Sequence, residues 1–122
     1  MSAWGKALKV DSFALESLHV EGSYCQFNSE HNTFLASDWD RKFWMKIDGE
    51  MVEFQSRRSD PEVEAQVKSK HWRETLMAGG VTVSLDLTET GRGDDTAAFR
   101  GHIDVLRGTT RVRLWVAGGC GA

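Results

Sequence analysis

The alternation of apolar and polar residues in several segments is the feature that most constrains this fold. Apolar residues occupy every second position in one stretch: Val81, Val83, Leu85 and Leu87. Successive side chains of a β-strand point to opposite faces, so this stretch predicts a strand with one buried and one hydrated face. A second alternating stretch predicts a strand that starts at Leu18, with its apolar side formed by Leu18, Val20, Gly22 and Tyr24. Cys25 follows Tyr24 and points to the opposite side.

The dipeptide Asp48-Gly49 predicts a β-hairpin with a two-residue loop. Both central residues of a type I′ turn need a positive φ, which this dipeptide tolerates. In the resulting register, Met45 faces Val52 and Phe43 faces Phe54 on the apolar side of the hairpin. Trp44 faces Glu53 on the other side. Because a slip of one residue would expose the whole apolar set, we expect the register to be firmly held.

A second hairpin is predicted between residues 97–106 and 109–117, joined by the two-residue loop Arg107-Gly108. In this register the inner pairs are Ile103 with Val112 and Phe99 with Val116. The outer pairs are Asp104 with Arg111 and Arg100 with Trp115. A four-residue loop would keep the same inner face, whereas a three-residue loop would not.

One helix start is present in the sequence. Ser59 and Glu62 have the spacing of a capping box, and Pro61 suits the first helical position. Val63 and Val67 lie four residues apart, on one face of the predicted helix. A short helix near residues 60–70 is therefore predicted, with a charged loop as the alternative.

Together these patterns predict an all-β fold of about seven short strands with at most one short helix. The architecture is expected to be an antiparallel sandwich or a small closed barrel. The chain has 122 residues, the size of one domain. Residues 1–14 are predicted to form a loosely held N-terminal arm, and residues 15–122 a single β domain.

Composition excludes some partners and leaves the compartment open. The formal net charge of −3 removes a general electrostatic attraction to nucleic acid. The sequence has no apolar run long enough to predict a membrane span. The first residues lack the continuous apolar stretch of a signal peptide, which predicts a cytoplasmic protein. If a leader has been removed, a periplasmic or secreted location is expected instead.

Residues that could carry chemistry do not form a catalytic or metal-binding pattern. The four histidines are not spaced as zinc ligands: His19, His31, His71 and His102. Asp38, Asp40 and the pair Asp94-Asp95 are interpreted as exposed turn carboxylates. We therefore predict no catalytic residue, no metal, no cofactor and no enzyme activity.

The five tryptophans exceed what a small core needs. Trp44 and Trp115 fall on predicted outward faces, and Arg100 and Arg113 belong to the same face as Trp115. One interpretation is a binding patch, because Trp and Arg are enriched among interface hot spots. The other is a second core that covers the outer face of the sheet.

Several phrases resemble a group of small bacterial envelope proteins of unknown activity. The phrases are Tyr24-Cys25-Gln26-Phe27, Phe34-Leu35-Ala36-Ser37-Asp38, Phe43-Trp44-Met45-Lys46-Ile47-Asp48-Gly49 and Gly118-Gly119-Cys120-Gly121. The resemblance covers roughly residues 18–57 and 96–122, and it implies a periplasmic or lipoprotein-like β-domain. A fainter resemblance to the β-barrel lysozyme inhibitors of the bacterial envelope implies an inhibitor of a host hydrolase.

The two cysteines are predicted to form a disulfide. Cys25 follows the first predicted strand and Cys120 the last, and closure of an antiparallel barrel brings those strands together. Such a bridge needs an oxidising compartment, in agreement with the envelope resemblance. The alternative is that Cys25 is an inert buried thiol.

Three functions remain open on these grounds. The leading hypothesis is a non-catalytic binding domain for a small molecule or a protein partner, because no convergent nucleophile, acid or metal set is present. The first alternative is the envelope inhibitor of a host hydrolase. The second is a small hydrolytic enzyme that uses Asp38, Asp40 or a histidine.

Overall fold

A computed structural model describes residues 8–18, 20 and 22–121 of the chain. Antiparallel strands make up most of this part, together with one α-helix, α1 (Asp60–Ser69), and a 3₁₀ turn at Leu15–Leu18. The strands are β1 (Val10–Asp11), β2 (Tyr24–Ser29), β3 (Asn32–Ser37), β4 (Lys42–Ile47), β5 (Glu50–Gln55), β6 (His71–Ala78), β7 (Val81–Arg92), β8 (Thr96–Arg107) and β9 (Thr110–Gly121). The prediction of an all-β fold with one short helix is confirmed.

The described strands form a single sheet in which strands that follow one another in the chain are mostly neighbours. The order runs β4-β3-β2-β9-β8-β7-β6, and β4 also pairs with both β1 and β5. Strand β2 therefore pairs with β9, the last strand of the chain. In the described part of the molecule the sheet does not close, because β5 and β6 contact each other without forming a ladder.

The hairpin at Asp48-Gly49 has the predicted register. Asp48 and Gly49 have φ values of 52° and 82°, as a type I′ turn requires. Ile47 faces Glu50, and the pairs Met45–Val52, Phe43–Phe54 and Trp44–Glu53 follow. Phe43, Met45 and Phe54 are buried. The apolar face of this hairpin therefore belongs to the core.

The N-terminal segment is attached to this hairpin. Val10 pairs with Ile47. The backbone N–H of Asp48 donates to the carbonyl oxygen of Lys9 at 2.8 Å, and the N–H of Lys9 donates to the Asp48 carboxylate at 3.0 Å. Residues 8–11 of the predicted loose arm are thus held against the sheet, and residues 1–7 lie outside the described part.

The predicted register of the second hairpin is wrong by two residues. Its loop is Gly108-Thr109, since Arg107 pairs with Thr110, and Gly108 has a φ of 62°. A type II′ turn places glycine at the first loop position, whereas the prediction had placed Gly108 second. The observed partners lie further along β9: Leu114 for Ile103, Gly118 for Phe99, Arg113 for Asp104, and Ala117 for Arg100. The inner face is unchanged, because a shift of two residues keeps each side chain on its side.

The predicted strand from Leu18 is also wrong. Leu18 ends the 3₁₀ turn, Gly22 has a positive φ of 78°, and β2 begins at Tyr24. Tyr24 is 38% exposed, whereas Cys25 is fully buried, so the predicted faces are reversed. The positive φ of Gly22 is incompatible with a strand, so the alternation of faces does not continue through this residue. His19 and Glu21 lie outside the described residues.

The predicted helix and its cap are confirmed. The Ser59 side chain accepts from the backbone N–H of Glu62, and the Glu62 carboxylate accepts from the backbone N–H of Ser59. Val63 and Val67 remain 38% and 42% exposed. No residue of α1 is buried, so the helix lies against the sheet without contributing to its core.

The disulfide joins β2 to β9, the last strand of the sheet in chain order. Cys25 and Cys120 are directly opposite each other in the β2–β9 ladder. The structure joins them by a disulfide bond, with a sequence separation of 95 residues. The bridge therefore closes a covalent loop that contains all the strands from β3 to β8.

Candidate functional site

A cavity of about 260 Å³ lies on the open side of the sheet, which we call the edge cavity. The segment after β5, helix α1 and strand β6 border it, together with Trp39 from the β3–β4 loop. Val63 and Val67 of α1 face it from one side, which explains why two apolar helix residues stay partly exposed. Among the described helices, none is long and apolar enough to cross a bilayer.

The inner wall of the edge cavity is aromatic. Trp72 on β6 is 2% exposed and lies at the centre of an aromatic cluster. Its ring centroid is 5.4 Å from Phe99, 5.9 Å from Phe43 and 6.0 Å from Phe27, in edge-to-face geometry. Such pairs favour one fixed ring orientation. Trp72, Phe43 and Phe99 also line the cavity, so their positions are set by the core before any ligand binds.

Arg58 is a half-buried cation in the wall of the edge cavity. Its side chain is only 14% exposed, and its guanidinium carbon lies 5.0 Å from the centroid of the Trp72 ring. The Nη1 group donates to the side-chain oxygen of Gln66 on α1. A guanidinium stacked on an indole and tied to a helix is held in one position.

Glu74 lies behind Arg58 and balances its charge. The Arg58 Nε atom is 2.9 Å from Oε1 of Glu74, but the N–H is not aligned with this oxygen, so the contact is ionic. The indole Nε1–H of Trp72 donates to the same oxygen at 2.9 Å. The Glu74 side chain is 3% exposed, and its Oε2 atom has no hydrogen-bond partner among the described residues.

Burial dominates the electrostatics of Arg58. It lowers the pKa of the guanidinium from its ordinary value, while the charges of Glu74 and Glu62 raise it and that of Arg41 lowers it further. Arginine keeps its charge at neutral pH despite such a shift. The cavity wall therefore contains a permanent, partly desolvated positive charge.

Charged residues of both signs form the rim of the edge cavity. Arg92 donates from Nη2 to the Glu89 carboxylate at 2.6 Å, and this hydrogen bond raises the pKa of Arg92. Arg41 donates to the carbonyl oxygen of Arg58 at 3.2 Å. Asp40 and Asp60 lie on the same rim and are exposed. The charges at the rim nearly cancel, whereas the inner wall contains the Arg58 guanidinium, whose counter-charge Glu74 does not line the cavity.

The hydroxyl and carboxyl groups near the cavity support the backbone. Ser37 and Ser56 accept from the backbone N–H groups of Trp39 and Arg58, at 3.1 and 3.4 Å. Asp38 Oδ1 accepts three backbone N–H groups of the β3–β4 loop at 2.9–3.0 Å. Within the described ranges, no cluster of three His, Cys, Asp or Glu residues could hold a metal ion.

Three of the four predicted binding residues lie elsewhere, on the outer face of the sheet. Trp115 is 65% exposed and lies opposite His102, with ring centroids 5.1 Å apart. Arg113 lies 5.8 Å from the Trp115 ring, and Arg100 lines the same shallow groove as Trp115. The structure therefore brings Trp115, Arg113 and Arg100 together on the outer face of the sheet, the face to which the alternation assigned them.

The fourth predicted binding residue, Trp44, lies apart from Trp115. Across the sheet, Trp44 pairs with Ala36, which pairs with Gln26, and Gln26 in turn pairs with residue 119 on β9. Residue 119 lies four positions after Trp115 on that strand. Three strand spacings and four residues correspond to about 20 Å. Trp44 donates instead to the Glu53 carboxylate at 3.2 Å. A patch that contains both tryptophans does not form.

Sequence reasoning missed the residues of the edge cavity. Strand β6 was not predicted, because Glu74 occupies an inward position between Trp72 and Leu76 and interrupts the apolar alternation. Trp72, Glu74 and Leu76 occupy alternate positions. They predict a strand face only if a buried, ion-paired carboxylate is accepted at the middle position. Nothing in the local sequence around Arg58 indicates its burial.

No protein-family model matches the sequence, and it has no significant match among curated proteins or solved structures. The predicted likeness to envelope proteins stays a prediction, and the function is inferred from the geometry of the site.

Proposed function

We propose that this chain is a non-catalytic binding protein whose edge cavity holds a compact apolar molecule that carries a carboxylate. The observation that supports this proposal most is the half-buried Arg58 guanidinium, stacked on Trp72 in the wall of the cavity. Binding sites for small molecules combine an apolar lining with a few fixed polar groups. The edge cavity has both.

The size and lining of the cavity favour a small ligand. Its volume of about 260 Å³ is near the lower end of small-molecule sites. Phe43, Trp72 and Phe99 offer ring surfaces, and Val63 and Val67 offer aliphatic ones from the helix. A ligand body in this space would remove the exposed valine surface from water, which stabilises the complex.

The charge of Arg58 favours a carboxylate at the inner end. Glu74 contacts the Nε side of the guanidinium and Gln66 contacts Nη1, which leaves Nη2 without a partner in the described part of the chain. A guanidinium N–H donates a strong, charge-assisted hydrogen bond to a carboxylate. In contrast, the acidic groups Asp40 and Asp60 lie at the exposed rim.

The chemistry of the lining favours binding without catalysis. In the described chain, no His or Cys lines the edge cavity. Ser37 and Ser56 lack a neighbouring base and serve the backbone. A nucleophile needs an adjacent base or a lowered pKa to react.

For the architecture we propose a small barrel that is open on one side, with the ligand bound at the opening. The pairing of β2 with β9 and the contact between β5 and β6 support this. We also propose an oxidising compartment such as the bacterial periplasm, because disulfides persist there and are rare in the cytosol. The Cys25–Cys120 bridge supports it.

The test is a thermal-shift comparison of phenylacetate and hexanoate with their uncharged amides. A ligand at about ten times its dissociation constant adds about 1.4 kcal/mol, or about 4–5 °C in Tm for a chain of this size. We expect the carboxylates, and not the amides, to raise Tm. Arg58→Lys should remove most of the shift, and Arg57→Lys, at the exposed neighbouring position, should keep it. Equal shifts with acids and amides would contradict the proposal.

A further inference from the structure

The outer face of β8 and β9 has a group of residues that the edge cavity does not involve, which we call the arginine–tryptophan patch. It consists of Arg100, His102, Asp104, Arg111, Arg113 and Trp115. The β8–β9 ladder places them as neighbours, with Trp115 opposite His102 and Arg113 opposite Asp104. Strand β7 pairs with the other side of β8, so Arg100, His102 and Asp104 lie on a strand with partners on both sides. Strand β2 pairs only with the last part of β9, from residue 117 to 121, so Arg111, Arg113 and Trp115 lie on a part of β9 that, among the described residues, pairs with β8 alone.

We propose that the arginine–tryptophan patch is a docking surface for the acidic face of another protein. Three of its residues are arginines and one is an aspartate, so it is positively charged in a chain with a net charge of −3. Complementary charge steers partners together and fixes their orientation. The acidic side of the partner would face Arg100 and Arg111, while Arg113 is already paired.

The central side chains of the patch are fixed before any partner binds. Arg113 donates to both carboxylate oxygens of Asp104, from Nε at 2.7 Å and from Nη2 at 2.9 Å. Its guanidinium carbon lies 5.8 Å from the Trp115 ring, and His102 packs on that ring edge-to-face. Side chains that are already ordered lose little conformational entropy on binding.

Composition favours a protein partner over an anionic polymer that is bound by charge alone. Trp115 is 65% exposed, a large apolar surface at the centre of the patch. Trp and Arg are the residue types most enriched at hot spots, whereas lysine, which is depleted at interfaces, is absent from these six positions. The combination matches a small hot-spot cluster.

The experiment uses a fluorescein-labelled copolymer of glutamate and tyrosine as the acidic, aromatic protein-like probe. Binding to the full chain is followed by anisotropy at low and at physiological salt. We expect saturable, salt-sensitive binding that Trp115→Ala and Arg111→Ala each weaken by about fivefold or more. Lys68→Ala removes an exposed cation of α1 and should leave the affinity unchanged. Circular dichroism of each variant checks that its fold is retained.

Four results would overturn the proposal. The first is no saturable binding of the copolymer at low salt. The second is an equal loss of affinity in Lys68→Ala. The third is that heparin binds more tightly than the copolymer and that Trp115→Ala weakens heparin binding, which would indicate a polysaccharide site. The fourth is self-association in sedimentation that Trp115→Ala abolishes, which would assign the patch to a second copy of this chain.

Discussion

Removal of the Cys25–Cys120 disulfide should cost a large part of the stability of this protein. The two residues are 95 positions apart, so the bridge closes most of the chain into one loop in the unfolded state. In the chain-entropy model a loop of this length corresponds to about 4.7 kcal/mol at 25 °C. Small domains have a total stability of about 5–15 kcal/mol, so this loss brings the fold close to its limit.

The measurement is urea unfolding of the parent protein and of the Cys25→Ala/Cys120→Ala variant. We expect the free energy of unfolding to fall by about 4–5 kcal/mol. The dependence on urea should steepen, because an unfolded chain without the loop exposes more surface. A reductant should lower the parent to the stability of the variant and leave the variant unchanged. A difference below about 1 kcal/mol would refute the argument that the bridge constrains the unfolded chain.

Three further outcomes follow from the structure. Gly118→Ala should destabilise the fold by about 2 kcal/mol or more in urea unfolding, since the added Cβ would lie 2.0 Å from the carbonyl oxygen of Gln26. Glu74→Ala should cost about 2–4 kcal/mol in the same assay, because it leaves the half-buried Arg58 guanidinium without its counter-charge. The hydrogen bond from Arg113 lowers the pKa of Asp104 below its ordinary 3.8, so this carboxylate stabilises the fold above that pH and ceases to do so as the pH falls through the lowered pKa. In unfolding measured at several pH values, Asp104→Asn should therefore be less stable than the parent at neutral pH, with the gap closing below about pH 4.

Local chemistry made part of the fold predictable. Asp48-Gly49 specifies its turn through φ values that few other pairs tolerate, and Ser59 with Glu62 specifies a helix start through two reciprocal hydrogen bonds. The apolar alternation of β7 is equally local, because its inner positions from Val81 to Leu87 are all aliphatic. These signals depend on neighbours in the sequence, so a single sequence suffices to find them.

The candidate site depends on contacts between distant segments and was not predictable in this way. Glu74 is buried with its Oε1 atom in contact with Arg58 and Trp72, and these contacts exist only in the folded sheet. Leu18 and Tyr24 have the spacing of residues on one strand face, but Leu18 ends a 3₁₀ turn and Gly22 has a positive φ. The apolar periodicity of a sequence indicates which residues prefer the buried face of a strand. Contacts with distant segments determine which of the inward positions can be polar.

The most direct test of the ligand site is a titration of the ¹⁵N-labelled full chain with phenylacetate, followed by NMR. The indole N–H signal of Trp72 and the Nε–H signal of Arg58 report on the edge cavity, and the indole signal of Trp115 reports on the outer face. Trp72→Phe and Trp115→Phe spectra identify the indole signals. We expect saturable shifts of the Trp72 and Arg58 signals with Trp115 unchanged. Shifts confined to Trp115, or no saturable shift at Arg58, would contradict binding in the edge cavity.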